Sequence, residues 1–160
     1  MVIIINGSIN SGKTTVAGIL VEMIPNTAHV EIDSLREFIR WLPLEESIPI
    51  NLENAVSVAN NLLKRGFHVV VTYPLSQDEH EYLKSNLKGV RGDIYTFTLR
   101  PKLSVTLTNR GTRELTSKEE TRIREQYADG RKSLGMIIDN SHQTPEETAK
   151  VILDHMAQNK

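Results

Sequence analysis

The stretch Val2-Ile-Ile-Ile-Asn-Gly7-Ser-Ile-Asn-Ser-Gly12-Lys13-Thr14 begins with four consecutive β-branched residues and ends in a loop bounded by two glycines. A short apolar run stopped by Asn6-Gly7 reads as a strand buried on both faces. Val16, Ala17, Ile19, Leu20 and Met23 then recur at helical spacing up to Pro25, so a helix is predicted from Lys13 to about Ile24. Between strand and helix, Gly7 to Thr14 fits G-x-x-x-x-G-K-[ST] at every position, in the setting that motif requires. Glycines let such a loop curl until its N–H groups converge on phosphate oxygens, and the helix that starts there adds the positive end of its dipole. Gly7, Asn10, Ser11, Gly12, Lys13, Thr14 and Thr15 are therefore the expected nucleotide-binding residues. Lys13 would reach the β and γ phosphates, Thr14 would give its hydroxyl to Mg²⁺, and Thr15 would bond a more distal phosphate oxygen.

Outward from this loop, strands and helices alternate. A second strand is predicted near residues 28–32, followed by a short helix over 34–41 and a loop carrying Pro43 and Pro49. Leu52, Ala55, Val56, Ala59, Leu62 and Leu63 mark a helix over 51–65, closed by basic residues in its last turn and by Gly66. A third strand covers 67–72, and Ser76-Gln-Asp-Glu79 is a capping-box sequence opening a helix with Tyr82, Leu83 and Leu87 on one side. A fourth strand is read over 94–99, a short helix with Pro101 in its first turn, a polar helix over about 117–127 and a last strand over 136–138. Thr144-Pro-Glu-Glu147 starts the final helix, to about Met156. Parallel strands need crossover helices of this length, so a three-layer α/β sandwich around one five-stranded parallel sheet is expected.

Length and composition narrow the chemistry. At 160 residues one domain is expected over 1–160, and the hydrophobic share of 39% suffices for a core. Nineteen Lys and Arg against 20 Asp and Glu give a formal charge of -1, without the basic excess of a nucleic-acid surface. With no Cys, disulfide scaffolds, Cys-ligated zinc, iron–sulfur clusters and thiol catalysis are excluded. The apolar runs are shorter than the ~18 to 20 residues of a membrane span, and the amino end lacks the basic lead of a secretory signal. A cytoplasmic protein with no membrane partner is expected.

The carboxyl edge of the second strand is where open α/β sheets hold ligands, and there the sequence reads Glu31-Ile-Asp33-Ser-Leu-Arg36-Glu37. An Asp at that edge can orient a hydroxyl or take its proton, and an Arg one turn later can hold an anionic group. Asp33 also suits the cap of the following helix, a role compatible with the first. Phe38 and Trp41 read either as an apolar wall for an acceptor or as packing.

Ile4-Ile-Asn-Gly-Ser-Ile-Asn-Ser-Gly-Lys-Thr14, followed by Val30-Glu-Ile-Asp-Ser-Leu35 and by Arg110-Gly-Thr-Arg113, resembles the P-loop small-molecule kinases related to adenylylsulfate, shikimate and gluconate kinases and to chloramphenicol phosphotransferase. The resemblance implies the P-loop nucleoside triphosphate hydrolase fold of nucleotide-kinase type. It implies Asp33 as the acceptor-side carboxylate, and a short lid over about 108–131 in which Arg110 packs on the base and Arg113 contacts phosphates. It also implies that the loop after the last strand, Asp139-Asn140-Ser141, faces the adenine through backbone groups, beside the alternative of a plain turn into the capped helix. The third strand ends in Thr72-Tyr73 where many P-loop enzymes place an Asp. Shikimate- and gluconate-type kinases also lack that acid, and Thr72 and Tyr73 read either as lining the acceptor site or as an ordinary strand end.

The expectation is an ATP- and Mg²⁺-dependent kinase acting on a hydroxyl of a small metabolite or antibiotic-like molecule. Lys13, Asp33 and Arg113 are its catalytic residues, Arg110 and Asn140 join the loop around the nucleotide, and Arg36 with Asp33, Thr72 and Tyr73 meets the acceptor. Two alternatives stand beside it. One is an ATP-binding regulatory protein with weak or no hydrolysis; the other is a nucleoside or nucleotide kinase in which Arg36 and Arg40 serve a phosphate-bearing acceptor.

Overall fold

The computed structural model describes residues 1–87, 93–108, 114–128 and 134–159. Five strands, β1 (Val2–Gly7), β2 (Thr27–Glu31), β3 (His68–Thr72), β4 (Ile94–Leu99) and β5 (Met136–Ile138), form one all-parallel sheet in the order β2-β3-β1-β4-β5. The expected α/β sandwich is thus the observed one. Seven helices accompany the sheet among the described residues: α1 (Lys13–Met23), α2 (Ile32–Leu35), α3 (Leu44–Lys64), α4 (Gln77–Asn86), α5 (Leu103–Thr106), α6 (Ser117–Ala128) and α7 (Pro145–Gln158). No helix among these residues is long and apolar enough to cross a membrane.

Alternation along β1 builds a core on each face of the sheet. Val2 and Ile4 point into a cluster with Leu52, Ala55, Ala59 and Leu63 of α3 and Leu83 of α4. Ile3 and Ile5 point the other way, into Val16, Ala17 and Leu20 of α1 and Ala149, Ile152 and Met156 of α7. Both faces being covered is what an apolar run without polar alternation requires. β1 lies between β3 and β4, so the connections diverge at its carboxyl end and leave a crevice there. In register, Ile5 and Glu31 both pair with Thr72, which sets the ends of β1, β2 and β3 side by side. Asn6 holds this edge: its Nδ2 donates to Thr98 Oγ1 at 3.2 Å and its Oδ1 accepts from the Leu75 N–H at 2.9 Å.

Several local readings are corrected. The segment around Pro43 and Pro49 is not a loop, because α3 starts at Leu44 and carries Pro49 in its second turn. Pro43 occupies the N-cap, and Glu45 and Glu46 complement the dipole of the first turn. Pro49 removes one donor, but on an exposed face, where water can serve the unmatched carbonyl. β2 ends at Glu31, one residue early, since Ile32 already turns into α2 while its side chain stays in the core. The helix expected over 34–41 is instead α2 followed by a 3₁₀ turn over Arg36–Ile39. Phe67 falls outside β3 because its N–H bonds Leu62 O at 3.2 Å, while that of Gly66, at φ 85°, bonds Leu63 O; the pair closes α3 in a Schellman motif. Pro101 precedes α5, whose N-cap is Lys102. On α4, Tyr82 is exposed and His80 is buried beside Leu83, with Nε2 2.9 Å from Thr96 Oγ1. The capping boxes at Ser76 and Thr144 form as read.

Candidate active site

The loop between β1 and α1 takes its shape from three left-handed residues. Gly7 (φ 149°) lies so close to its neighbours that a Cβ there would sit 2.6 Å from Leu99 O and from Ser11 Oγ. Asn10 has φ 61°, and Gly12, at φ 95°, is the N-cap of α1. The N–H groups of Lys13, Thr14 and Thr15 have no carbonyl one turn back within the helix; that of Val16 is the first to be satisfied, by Gly12 O at 3.0 Å. Thr14 and Thr15 are exposed at this helix end.

Lys13 folds back over the loop, donating to Gly7 O at 3.0 Å and Ser8 O at 2.8 Å. Burial pushes its ammonium down to about 8, against the opposing pull of Asp33 and Glu31. Beneath the loop, Ser11 is fully buried and its carbonyl accepts from Asn140 Nδ2 at 3.0 Å. Asn140 thus spends its side-chain amide on the loop backbone, as a strut from the β5–α7 connection, which leaves the backbone groups of residues 139–141 as the ones that could meet a base. Asn10 likewise turns its amide away, to the carbonyls of Thr106 at 2.7 Å and Thr108 at 3.0 Å.

In front of the loop lies a cleft of about 590 Å³. It brings together Lys13, Thr14, Asp33, Thr72 and Tyr73, all singled out in the sequence, with Glu31, Glu37, Glu79, Glu119, Arg122 and Gln126. Glu31 had no assigned role, yet it engages Thr14 of the loop directly. It accepts the Thr14 hydroxyl on one oxygen and the Ser34 hydroxyl, at 2.7 Å, on the other. Burial pushes its carboxyl up, but those two hydrogen bonds and the charges of His29 and Lys13 outweigh that effect and leave it below the usual carboxylate range. Asp33 opens onto the cleft from α2 with its carboxyl raised. Burial is the main cause and the Glu31 charge adds to it, while Lys13, Arg122 and Arg36 act the other way. Thr72 Oγ1 lies 2.8 Å from His29 Nε2, whose ring burial holds below its ordinary pKa.

The cleft leaves out some expected members. Arg36 does not line it, and Arg40 lies at the surface, 3.9 Å from Glu37 with both side chains more than 70% exposed. Phe38 and Trp41 are each 79% exposed, so they neither pack nor wall the cleft. Arg110 and Arg113 lie outside the described residues. Arg122, from α6, is the cation that joins Lys13 among the described residues lining the cleft; its place on an otherwise polar helix gave no periodic signal.

Thr14 and Glu31 supply one hydroxyl and one ionised carboxylate side by side, the oxygen donor set a magnesium ion takes, so the residues fit the ion the sequence motif implies. Comparison with solved structures shows where the fold is shared. A tunicamycin resistance protein from Deinococcus radiodurans aligns over 97% of this chain and 94% of its own, with a TM-score of 0.67 and 22% identity. A sugar kinase from Janibacter sp. aligns over 98% and 94%, with a TM-score of 0.75 and 18% identity. The chain has the fold of the P-loop small-molecule kinases. Shikimate kinase from Acinetobacter baumannii, in complex with shikimate, shares that P-loop kinase fold over 99% of this chain and 94% of its own, with a TM-score of 0.67 and 19% identity. No protein-family model and no curated protein sequence matches the chain.

Proposed function

We propose that this protein is an ATP-dependent kinase that transfers the γ-phosphoryl group to a hydroxyl of a small molecule. The observation that carries the proposal is the common cleft of Lys13, Thr14, Asp33 and Arg122, in which the Asp33 carboxylate feels both cations. The acceptor oxygen attacks the γ phosphorus, the bond from that phosphorus to the β-bridging oxygen breaks, and ADP leaves with the electron pair. The hydroxyl proton passes to Asp33, whose carboxyl, pushed up chiefly by burial, is a stronger base than an ordinary aspartate. Lys13 exchanges its two loop carbonyls for phosphate oxygens, and Arg122 stabilises charge that spreads over the transferring group. Thr14 and the neighbouring Glu31 carboxylate would hold magnesium, which when bound would neutralise phosphate charge.

The walls also speak to the acceptor. Among the described residues lining the cleft, Glu31, Asp33, Glu37, Glu79 and Glu119 are acidic, and Lys13 and Arg122 alone are basic. With Arg36 and Arg40 outside it, the cleft favours a neutral or positively charged alcohol over a phosphate-bearing one, which weighs against a nucleotide kinase. The unit spans 1–160, with about 108–131 as its lid, and works in the cytoplasm, where ATP and Mg²⁺ are supplied. A panel of neutral, cationic and anionic alcohols, offered with Mg·ATP and followed by ADP release, tests this. Transfer to a neutral or cationic alcohol that Asp33→Asn reduces at least a hundredfold supports the proposal. Nucleotide binding with no acceptor-dependent ADP release across the panel rejects it in favour of a binding module.

A further inference from the structure

The phosphate loop is also tied, on the side away from α1, to the helix that carries Arg122. The Ile9 N–H donates to Gln126 Oε1 at 3.2 Å, and Gln126 lines the cleft together with Arg122, one turn earlier on α6. A second group of bonds in the same place is of a different kind. Tyr127, the next residue of α6, donates its hydroxyl to Pro101 O and lies 2.8 Å from Thr106 Oγ1, so α6 is fixed to α5 there. Thr106 O in turn accepts from Asn10 Nδ2. The loop apex, α5 and the end of α6 therefore form one closed hydrogen-bonded circuit. Of its links, only that at Gln126 uses a backbone N–H of the phosphate loop itself; the others use side-chain donors or lie away from the loop.

That difference has a chemical consequence. A backbone N–H carries one proton and makes one good hydrogen bond. Phosphate entering the loop recruits N–H groups as charge-assisted donors, which outcompete a neutral amide acceptor. Losing Ile9 to the phosphate frees Gln126, whereas the bonds of Asn10 and Tyr127 involve no group that phosphate would take.

We propose that Gln126 is a latch: in the ligand-free protein it holds α6 on the phosphate loop through Ile9, and nucleotide phosphates release it, letting Arg122 move relative to Asp33 about the pivot at Tyr127. Gln126 is a positioning residue here, acting through Arg122, and the inference rests on the kinase reading of the same cleft. The structure shows the latched form, with Gln126 half-buried against the loop.

Backbone hydrogen exchange on the full chain, with Mg·ADP as the probe, tests it. In the wild type, Mg·ADP is expected to protect the loop over residues 7–15 and to change exchange along residues 117–128. Gln126→Met removes the strong acceptor. Its α6 should exchange without ligand as wild-type α6 does with Mg·ADP, and Mg·ADP should bind about fivefold tighter, the worth of one hydrogen bond no longer broken on binding. Gln126→Glu, which keeps an acceptor oxygen, should retain the wild-type exchange pattern without ligand. Unchanged Mg·ADP affinity in Gln126→Met, or α6 exchange in the wild type that ignores Mg·ADP while the loop is protected, overturns the latch and leaves the kinase reading standing. Should Gln126→Met fail to fold, the wild-type α6 response and the Gln126→Glu pattern decide alone. If wild-type protein binds no Mg·ADP at all, the kinase reading fails and the latch fails with it.

Discussion

Asn140 Nδ2 donates to the carbonyl of Ser11 at 3.0 Å, linking the loop after the last strand to the floor of the phosphate loop across 129 residues of sequence. Both groups are buried, so removing the donor leaves a carbonyl without a partner. Asn140→Asp, which keeps the shape but offers no donor, is expected to cost about 1–3 kcal/mol of stability and to weaken Mg·ADP binding. Denaturant unfolding and a nucleotide titration check both halves. A variant with wild-type stability shows that the strut carries no weight.

Lys13 gives the protein a pH dependence of known sign. Its folded pKa, pushed down to about 8, lies below the ordinary 10.5, so between those values the unfolded chain binds more protons and this residue's share of stability rises with pH. Ligand affinity runs the other way, since neutral Lys13 attracts phosphate poorly. Mg·ADP binding is expected to weaken by about tenfold from pH 7.5 to 9, with proton uptake on binding in that range. Lys13→Met should abolish the pH dependence, lower affinity throughout and leave the ligand-free fold at least as stable. Isothermal titration in buffers of different ionisation enthalpy measures the uptake directly.

Glu31 and Asp33 lie two residues apart and should fail differently. Asp33→Asn is expected to reduce phosphoryl transfer by about 10²–10⁴ while nucleotide affinity stays within about threefold. Glu31→Gln loses the charge behind Thr14, so its defect should appear as a raised magnesium requirement that added Mg²⁺ partly restores. Magnesium titrations of the initial rate separate the two, and identical profiles would contradict the division of roles.

Gly135 has φ 65°, and a Cβ there would sit 2.0 Å from Thr96 O, inside the sheet edge that β4 shares with β5. Gly135→Ala is therefore expected to destabilise by more than about 2 kcal/mol, from the left-handed backbone and the collision together. Gly18→Ala, with nothing within 4 Å of the added carbon and in mid-helix, is expected to stabilise by about 0.5–1 kcal/mol. Opposite shifts in melting temperature are the check.

What was legible in the sequence follows from how local each signal is. The loop, β1 and α1 could be read because motif, apolar run and helical spacing lie in one stretch. Both capping boxes could be read because Ser76 with Glu79, and Thr144 with Glu147, satisfy each other within one turn. Pro49 misled because a proline's cost depends on which face of the helix it occupies, and only the packing of α3 decides that. Glu31 and Gln126 went unassigned for a related reason: their partners, Thr14 and Ile9, are 17 and 117 residues away, and no periodicity encodes a side-chain contact across a sheet edge. Asn140 was picked out as a residue that matters at its loop, but its direction, toward Ser11, exists only in three dimensions.

Trp41 is the only tryptophan in the chain, and it stands 79% exposed just beyond the short helical segment that holds Asp33. The protein therefore contains a single intrinsic optical probe, outside the cleft but only eight residues along the chain from Asp33. Indole in water emits at long wavelength and is readily quenched by iodide. Because that indole stands clear of the cleft, a blue shift and loss of quenching on adding Mg·ADP and an alcohol would report a rearrangement of the segment after α2 rather than contact with the ligand itself.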